Sequence, residues 1–181
     1  SGACFDTPQE GLAICNKNIV NSGTRLLGLA AFCGDENDRK TMHKNVLEQI
    51  KAYYNLTKPA NNGRFRKLPA EAFTYLTLEG MDYISKLSDL EEFLSYDISA
   101  CGLMWNREND LGGSAYYDKP LTALGKAVAL ALDKNGIKID LAHAGVKTFF
   151  DLCNIIEKPF ISHGNVYDIC SHVRNYTKFY R

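Results

Sequence analysis

The chain of 181 residues has no net charge, no closely spaced cysteine pair, no nucleotide-binding glycine motif and no long apolar run, and each absence removes a class of function. Lys plus Arg and Asp plus Glu balance at 21 each, so no global field draws the chain to nucleic acid or to an anionic membrane. No apolar stretch approaches the roughly 18 residues that span a bilayer. The first residues also lack the charged-then-apolar pattern of a signal peptide. The expectation is a soluble, cytoplasmic protein with neither membrane nor nucleic acid among its partners. The six cysteines, Cys4, Cys15, Cys33, Cys101, Cys153 and Cys170, are too dispersed for a ribbon-type zinc site or a small disulfide scaffold, and most are expected to be reduced and buried. Neither GxGxxG nor GxxxxGK followed by Ser or Thr occurs, so a nucleotide site has no support.

What is present is an alternation of short apolar runs and longer amphipathic stretches. With 45% hydrophobic and 23% charged residues, the chain can close one sizeable core, and residues 1–181 are expected to form a single domain. Residues 3–6, stopped by Thr7-Pro8, are too few for a helix and are read as a first strand. Residues 24–33 (TRLLGLAAFC) are apolar almost throughout, as a strand covered on both faces requires, and Gly34 ends them. Further strands are expected at 73–78, 99–105, 137–141 and 160–162. Met42, Val46, Leu47, Ile50 and Tyr53 or Tyr54 recur at helical spacing and predict a helix over 37–54, capped by Asn37 or Asp38. Other helices are expected over 85–96, over 122–134 with Asn135-Gly136 as the stop, and over 147–156 and 165–173. Residues 58–69, with two prolines, Asn61-Asn62-Gly63 and four basic side chains, read as a polar loop outside the core. Strand followed by helix, repeated along the chain, implies parallel strands joined by right-handed crossovers. The missing glycine motifs favour a barrel over a doubly wound sheet. The expected class is therefore α/β, a TIM-barrel-like (β/α) parallel barrel with six of eight units.

Four ionisable residues break the apolar pattern at equivalent places, where a strand gives way to a loop: Asp6, Glu79, His143 and His163. In a parallel barrel these positions share one mouth, where active sites form. Two imidazoles and two carboxylates make a ligand set suited to zinc or, second, to manganese, and a carboxylate can bridge two ions. Each residue alone has a plainer reading: a turn residue for Asp6, a surface carboxylate for Glu79, a hydrogen-bonded structural histidine for His143 or His163. Their coincidence at matching strand ends favours the metal. His43, on the polar side of a charged helix, and His172 are read as structural.

Residues 136–174, as GIKIDLAH, KPFISHGN and HVRN, resemble the DLSH-type strand end, SHSn strand end and hpRN segment of the membrane (renal) dipeptidase family, metallopeptidase family M19. LTLEG around Glu79 is similar to the family's IGxEGg, and GLMWNREND around Trp105 to the GLTWNxxN form of its bacterial branch. The resemblance implies a zinc-dependent dipeptidase with one or two ions. Glu79 would bridge them, with Glu79 and Asp6 as catalytic residues; His143 and His163 would complete the second ion, and Asp6 and Cys4 would serve the first. It further implies that Arg174, Trp105 and Asn106 contact the substrate, a dipeptide or amino-acid-like small molecule, and that Asp140 orients a metal ligand. The chain departs from the family in carrying Cys4-Phe5-Asp6 where His-x-Asp is usual. It also stops after the sixth unit of a fold that needs about 250 residues. Such an open sheet exposes unpaired edges, so a homo-oligomer or partner chain covering them is expected, which light scattering would read as self-association. The alternative to an enzyme is a non-catalytic descendant that binds a metal or a small ligand.

Overall fold

Apolar alternation and well-placed caps build most of the elements. The computed structural model describes residues 16–35, 38–60, 64–69, 71–164 and 167–175, so the expected first strand, with Cys4 and Asp6, lies outside the described residues. In chain order the elements are α1 (Asn16–Asn21), β1 (Leu26–Phe32), α2 (Arg39–Leu56), β2 (Lys58–Pro59), β3 (Arg66–Lys67) and β4 (Phe73–Glu79). A 3-10 turn (Leu87–Leu90) then runs into α3 (Glu91–Leu94), followed by β5 (Ile98–Gly102), α4 (Ala123–Lys134), β6 (Lys138–Asp140) and α5 (Val146–Ile155).

Strands β1, β4, β5 and β6 are parallel and adjacent in that order, with Leu29 opposite Leu76, Leu78 opposite Cys101 and Cys101 opposite Ile139. A single parallel bridge from Asp140 to Phe160 continues the sheet. The result is an open, partial (β/α) barrel. Along β4, Thr74, Leu76 and Leu78 are buried while Tyr75, Thr77 and Glu79 are half-buried, the alternation that points Glu79 to the face opposite the helices. Leu76 and Leu78 join one hydrophobic cluster with Met42, Val46, Ile50 and Tyr53 of α2, whose spacing of three and four residues forms a single stripe. Asp38 caps that helix by accepting from the backbone N–H of Thr41 at 2.9 Å, so it starts at Arg39, two residues later than the spacing alone suggests. On the far side, α4 begins at the Thr122 cap and buries Val128, Ala129 and Leu132 in the same cluster.

Four expectations are corrected. The helix over 85–96 is instead a 3-10 turn and one short α-turn, because the Asp89 carboxylate reaches back to accept from Ser85 and Lys86 N–H at 2.9 and 3.1 Å and ties those residues into its own cap. The polar loop over 58–69 holds an antiparallel pair, β2 with β3, that extends to β4 and buries Leu68. Arginines supply the reason: Arg64 donates to the carbonyls of Ile98, Asn135 and Gly136, and Arg66 to those of Tyr54 and Thr57, so basic side chains clamp the segment to the bottom of the sheet. The sixth strand is reduced to the bridge at Phe160. Residues 167–175 form turns and not a helix: side-chain bonding from Asn175 to the Cys170 carbonyl closes them, and Ile169 is 85% exposed among the described residues. Among the four described cysteines, Cys33 and Cys101 are buried as expected, whereas Cys153 and Cys170 are exposed. No helix among the described residues is long and apolar enough to cross a membrane.

Candidate metal centre

Three strand-end side chains meet. Glu79 ends β4, His143 lies in the turn after β6, and His163 follows the Phe160 bridge. His143 Nε2 is 2.9 Å from Glu79 Oε1 and 2.9 Å from His163 Nε2, and His163 Nε2 is 3.7 Å from the same carboxylate oxygen. The donor atoms of the three residues all lie within 4.8 Å of one another. The parallel register explains the meeting: Glu79 is level with Gly102 of β5, Gly102 with Asp140 of β6, and Asp140 with Phe160, so each loop leaves at the same height.

Neighbouring groups orient the two rings. Asn106 Oδ1 stands 3.1 Å from His143 Nδ1 and so orients the ring with its Nε2 edge facing Glu79 and His163. Asn106 is anchored through its carbonyl, which accepts from Ser114 Oγ at 2.8 Å. Ser162 Oγ lies 2.8 Å from His163 Nδ1. The Trp105 ring, edge-on to Phe32 at 4.7 Å, forms a wall 6.3 Å from the His143 ring. Arg174 brings Nη2 to 2.9 Å from His143 Nε2, while its Nε is buried with no hydrogen-bond partner among the described residues. A cavity of about 690 Å³ opens at this cluster and runs along β1, lined by Glu79, Trp105, His143, His163 and Arg174 at one end and by Leu27, Leu29, Leu56 and Leu68 at the other.

The electrostatics suit a cation. The hydrogen-bonding contact with His143 first, and the Arg174 guanidinium as well, hold the Glu79 carboxyl below its ordinary range against its partial burial, so it stays ionised. Burial, and after it the neighbouring His143, holds the His163 imidazole below its ordinary range and keeps it neutral, the form in which a ring nitrogen ligates a metal. Two ring nitrogens and an anionic oxygen converging on one point form the donor chemistry of a borderline divalent ion. The geometry is built at a cost in backbone strain. His143 has φ +68°, in the left-handed region, whereas Gly80, directly after Glu79, takes φ +77° without that cost because it lacks a Cβ. Cys33 packs under that glycine, its thiol pushed up to about 12 by burial and by the Asp82 carboxylate beside it.

Of the sequence-expected residues, the structure gathers Glu79, His143, His163, Arg174, Trp105 and Asn106, while Cys4 and Asp6 lie outside the described residues. Asn106 faces a histidine ring. His43 pairs with Glu92 at 3.3 Å and rests on Phe93, away from the cluster. His172 accepts from the Arg174 backbone N–H at 3.3 Å. Ser162 was not anticipated, although a hydroxyl directly before a strand-end histidine is the one sequence sign of it.

The sequence model described as membrane dipeptidase (peptidase family M19) matches residues 16–178. Among solved structures, dipeptidase AC, a metallopeptidase of family M19, is 18% identical with a TM-score of 0.72, over 92% of this chain and 58% of its own. A metallopeptidase from Rhodobacter sphaeroides, liganded with a phosphinate mimic of the dipeptide L-Ala-D-Ala, is 17% identical with a TM-score of 0.69, over 92% and 60%. The probable dipeptidase PvdM from Pseudomonas aeruginosa is 14% identical with a TM-score of 0.80, over 99% and 54%. This chain thus spans little more than half the length of the solved structures it matches, and shares the fold of that part.

Proposed function

The chain belongs to the membrane dipeptidase family, peptidase family M19, and from that premise we propose that it serves zinc-dependent hydrolysis of dipeptides. The observation that carries the proposal is the convergence of Glu79, His143 and His163, three donors within 4.8 Å. Glu79, His143 and His163 would hold the ion, joined by Asp6 and Cys4 at the start of the chain. When bound, zinc supplies Lewis acidity that polarises a peptide carbonyl and makes water acidic enough to attack near neutral pH.

The remaining roles belong to the side chains. Asn106 and Ser162 hold the rings so that their metal-facing nitrogens point inward. Arg174 would take the substrate's C-terminal carboxylate, for which its planar fork, with an Nε unpaired among the described residues, is suited. Trp105 walls the cavity and excludes water from the His143 side. A second reading, a metal- or small-ligand-binding descendant without turnover, is favoured by Cys4, since a thiolate donates more charge than imidazole and blunts the acidity of an ion it binds.

Metal analysis after exhaustive dialysis, with a dipeptide assay alongside, separates the two. Retained zinc with turnover supports the enzyme; one zinc without turnover supports the descendant. His163→Ala is expected to abolish zinc retention and His172→Ala to leave it intact, and equal effects of the two would remove the assignment.

A further inference from the structure

We infer that Asp140 is the positioning residue for both histidines of the candidate metal centre, one carboxylate oxygen fixing two turns that are far apart in the chain. The inference rests on the metal-binding reading above. Asp140 Oδ1 accepts from the backbone N–H of Ala142 at 3.0 Å and from that of Ser162 at 3.0 Å. Each donor belongs to the residue directly before a histidine, His143 in one case and His163 in the other. The same oxygen therefore holds both ligand-bearing turns at a fixed separation.

The two bonds do different work. On its own side, Asp140 opens an Asx turn, and the following turn is closed by Ala144 N–H to the Leu141 carbonyl at 3.1 Å. His143 stands at the third position of that turn with φ +68°, a conformation that glycine adopts freely and histidine does not. It needs outside support, which comes from Asp140, from Asn106 on the ring and from Ala115 N–H on the His143 carbonyl at 2.9 Å. On the other side the backbone ladder among the described residues is Phe160 N–H to the Ile139 carbonyl at 3.0 Å and Leu141 N–H to the Phe160 carbonyl at 2.8 Å. The carboxylate then supplies the next rung, to Ser162, where the backbone ladder has ended. His163 has fewer holds than His143 and is the ligand that depends more on Asp140.

The test follows zinc titrated into the dialysed 181-residue chain by the emission of Trp105, the sole tryptophan of the sequence, whose ring lies 6.3 Å from that of His143. Asp140→Ala is expected to weaken zinc binding by about tenfold to a hundredfold, the usual effect of losing an outer partner of a metal ligand. Asp140→Asn keeps an oxygen acceptor in the same place and is expected to recover most of the affinity. A purely stabilising role would lower the unfolding midpoint of the metal-free protein without this division between the two variants. Backbone amide exchange in the metal-free protein gives a second readout, with Ala142 and Ser162 both protected in the wild type and in Asp140→Asn. Equal zinc affinity of wild type and Asp140→Ala would overturn this inference alone, as would an Asn variant as weak as the Ala one. A wild-type chain that takes up no zinc would overturn the metal-binding reading, and this inference with it.

Discussion

Replacing Gly80 by alanine tests whether the backbone after Glu79 is as constrained as the geometry indicates. Gly80 has φ +77°, and a Cβ built on it would lie 2.5 Å from Cys33 Sγ, 3.1 Å from Trp105 Cβ and 3.3 Å from Asp82 Oδ2. The left-handed conformation costs an alanine about 1–2 kcal/mol, and forcing a methyl into a filled site adds about 1–3 kcal/mol. The total of roughly 2–5 kcal/mol corresponds to a fall in unfolding midpoint of about 4–20 °C for a chain of this size. The two contributions separate in a double-mutant cycle. Cys33→Ala removes the sulfur that the new methyl meets, so Gly80→Ala should cost about 1 kcal/mol or more less in that background, while the conformational cost remains. Thermal and urea unfolding of the four metal-free proteins measure the cycle. A Gly80→Ala protein within about 0.5 kcal/mol of wild type, or a cycle with no coupling, would refute this account of the turn.

Two further outcomes follow from the site. Arg174→Ala should raise KM for a dipeptide by about tenfold to a hundredfold, the loss of a charge-assisted hydrogen bond of about 1.5–3 kcal/mol. Zinc affinity should be retained, since Arg174 is a cation and no ligand; a parallel loss of zinc would contradict its assignment to substrate. Mild acid should destabilise the metal-free site, because Glu79 and His163 are both held below their ordinary ranges. The depressed Glu79 carboxyl adds stability above its unfolded value near pH ~4.3 that is lost as pH falls through its folded value. The depressed His163 makes the unfolded state bind a proton first, so stability also falls as pH drops from about 6.5 towards the folded value. Unfolding midpoints should decline as pH falls from 7 to about 6, before the buried Asp82 carboxyl, which is held above its ordinary range, begins to act the other way, and a rise over that interval would count against the burial of His163.

Sequence periodicity revealed most where one physical effect dominates. Helix α2 was legible because its buried stripe and Asp38 cap agree, and β4 because its alternation is unbroken. The stretch over 85–96 misled because its leucines fit a helical face although Leu87 is 46% exposed, and a local Asp89 cap competes for the same backbone groups. The β2–β3 pair was hidden by its charges: arginine reads as loop composition, yet Arg64 and Arg66 spend their donors on carbonyls of other elements. At the site, the rule that parallel strand ends converge located Glu79, His143 and His163. It could not show that Asn106 turns towards a ring 37 residues away or that Asp140 reaches both histidine turns, since side-chain direction leaves no trace in one dimension.

The three donors differ in how firmly they are held, and the difference bears on how the centre would assemble. The His143 side chain is 2% exposed and is bonded through ring, carbonyl and turn; Glu79, 29% exposed, closes a strand paired on both sides; His163 is 45% exposed and follows a single bridge. Glu79 and His143 therefore form a seat that folding itself fixes, in contact at 2.9 Å. His163 closes the set from the edge of the sheet as the described residues form it, where the Asp140 oxygen continues the pairing begun at the Phe160 bridge. Because ordering a ligand on binding subtracts from affinity, the least tethered donor sets the limit on how tightly a cation is held. Any covering of the sheet beyond Phe160, by further chain or by a second copy, would then strengthen the centre by restraining His163 while leaving the Glu79–His143 pair as it is.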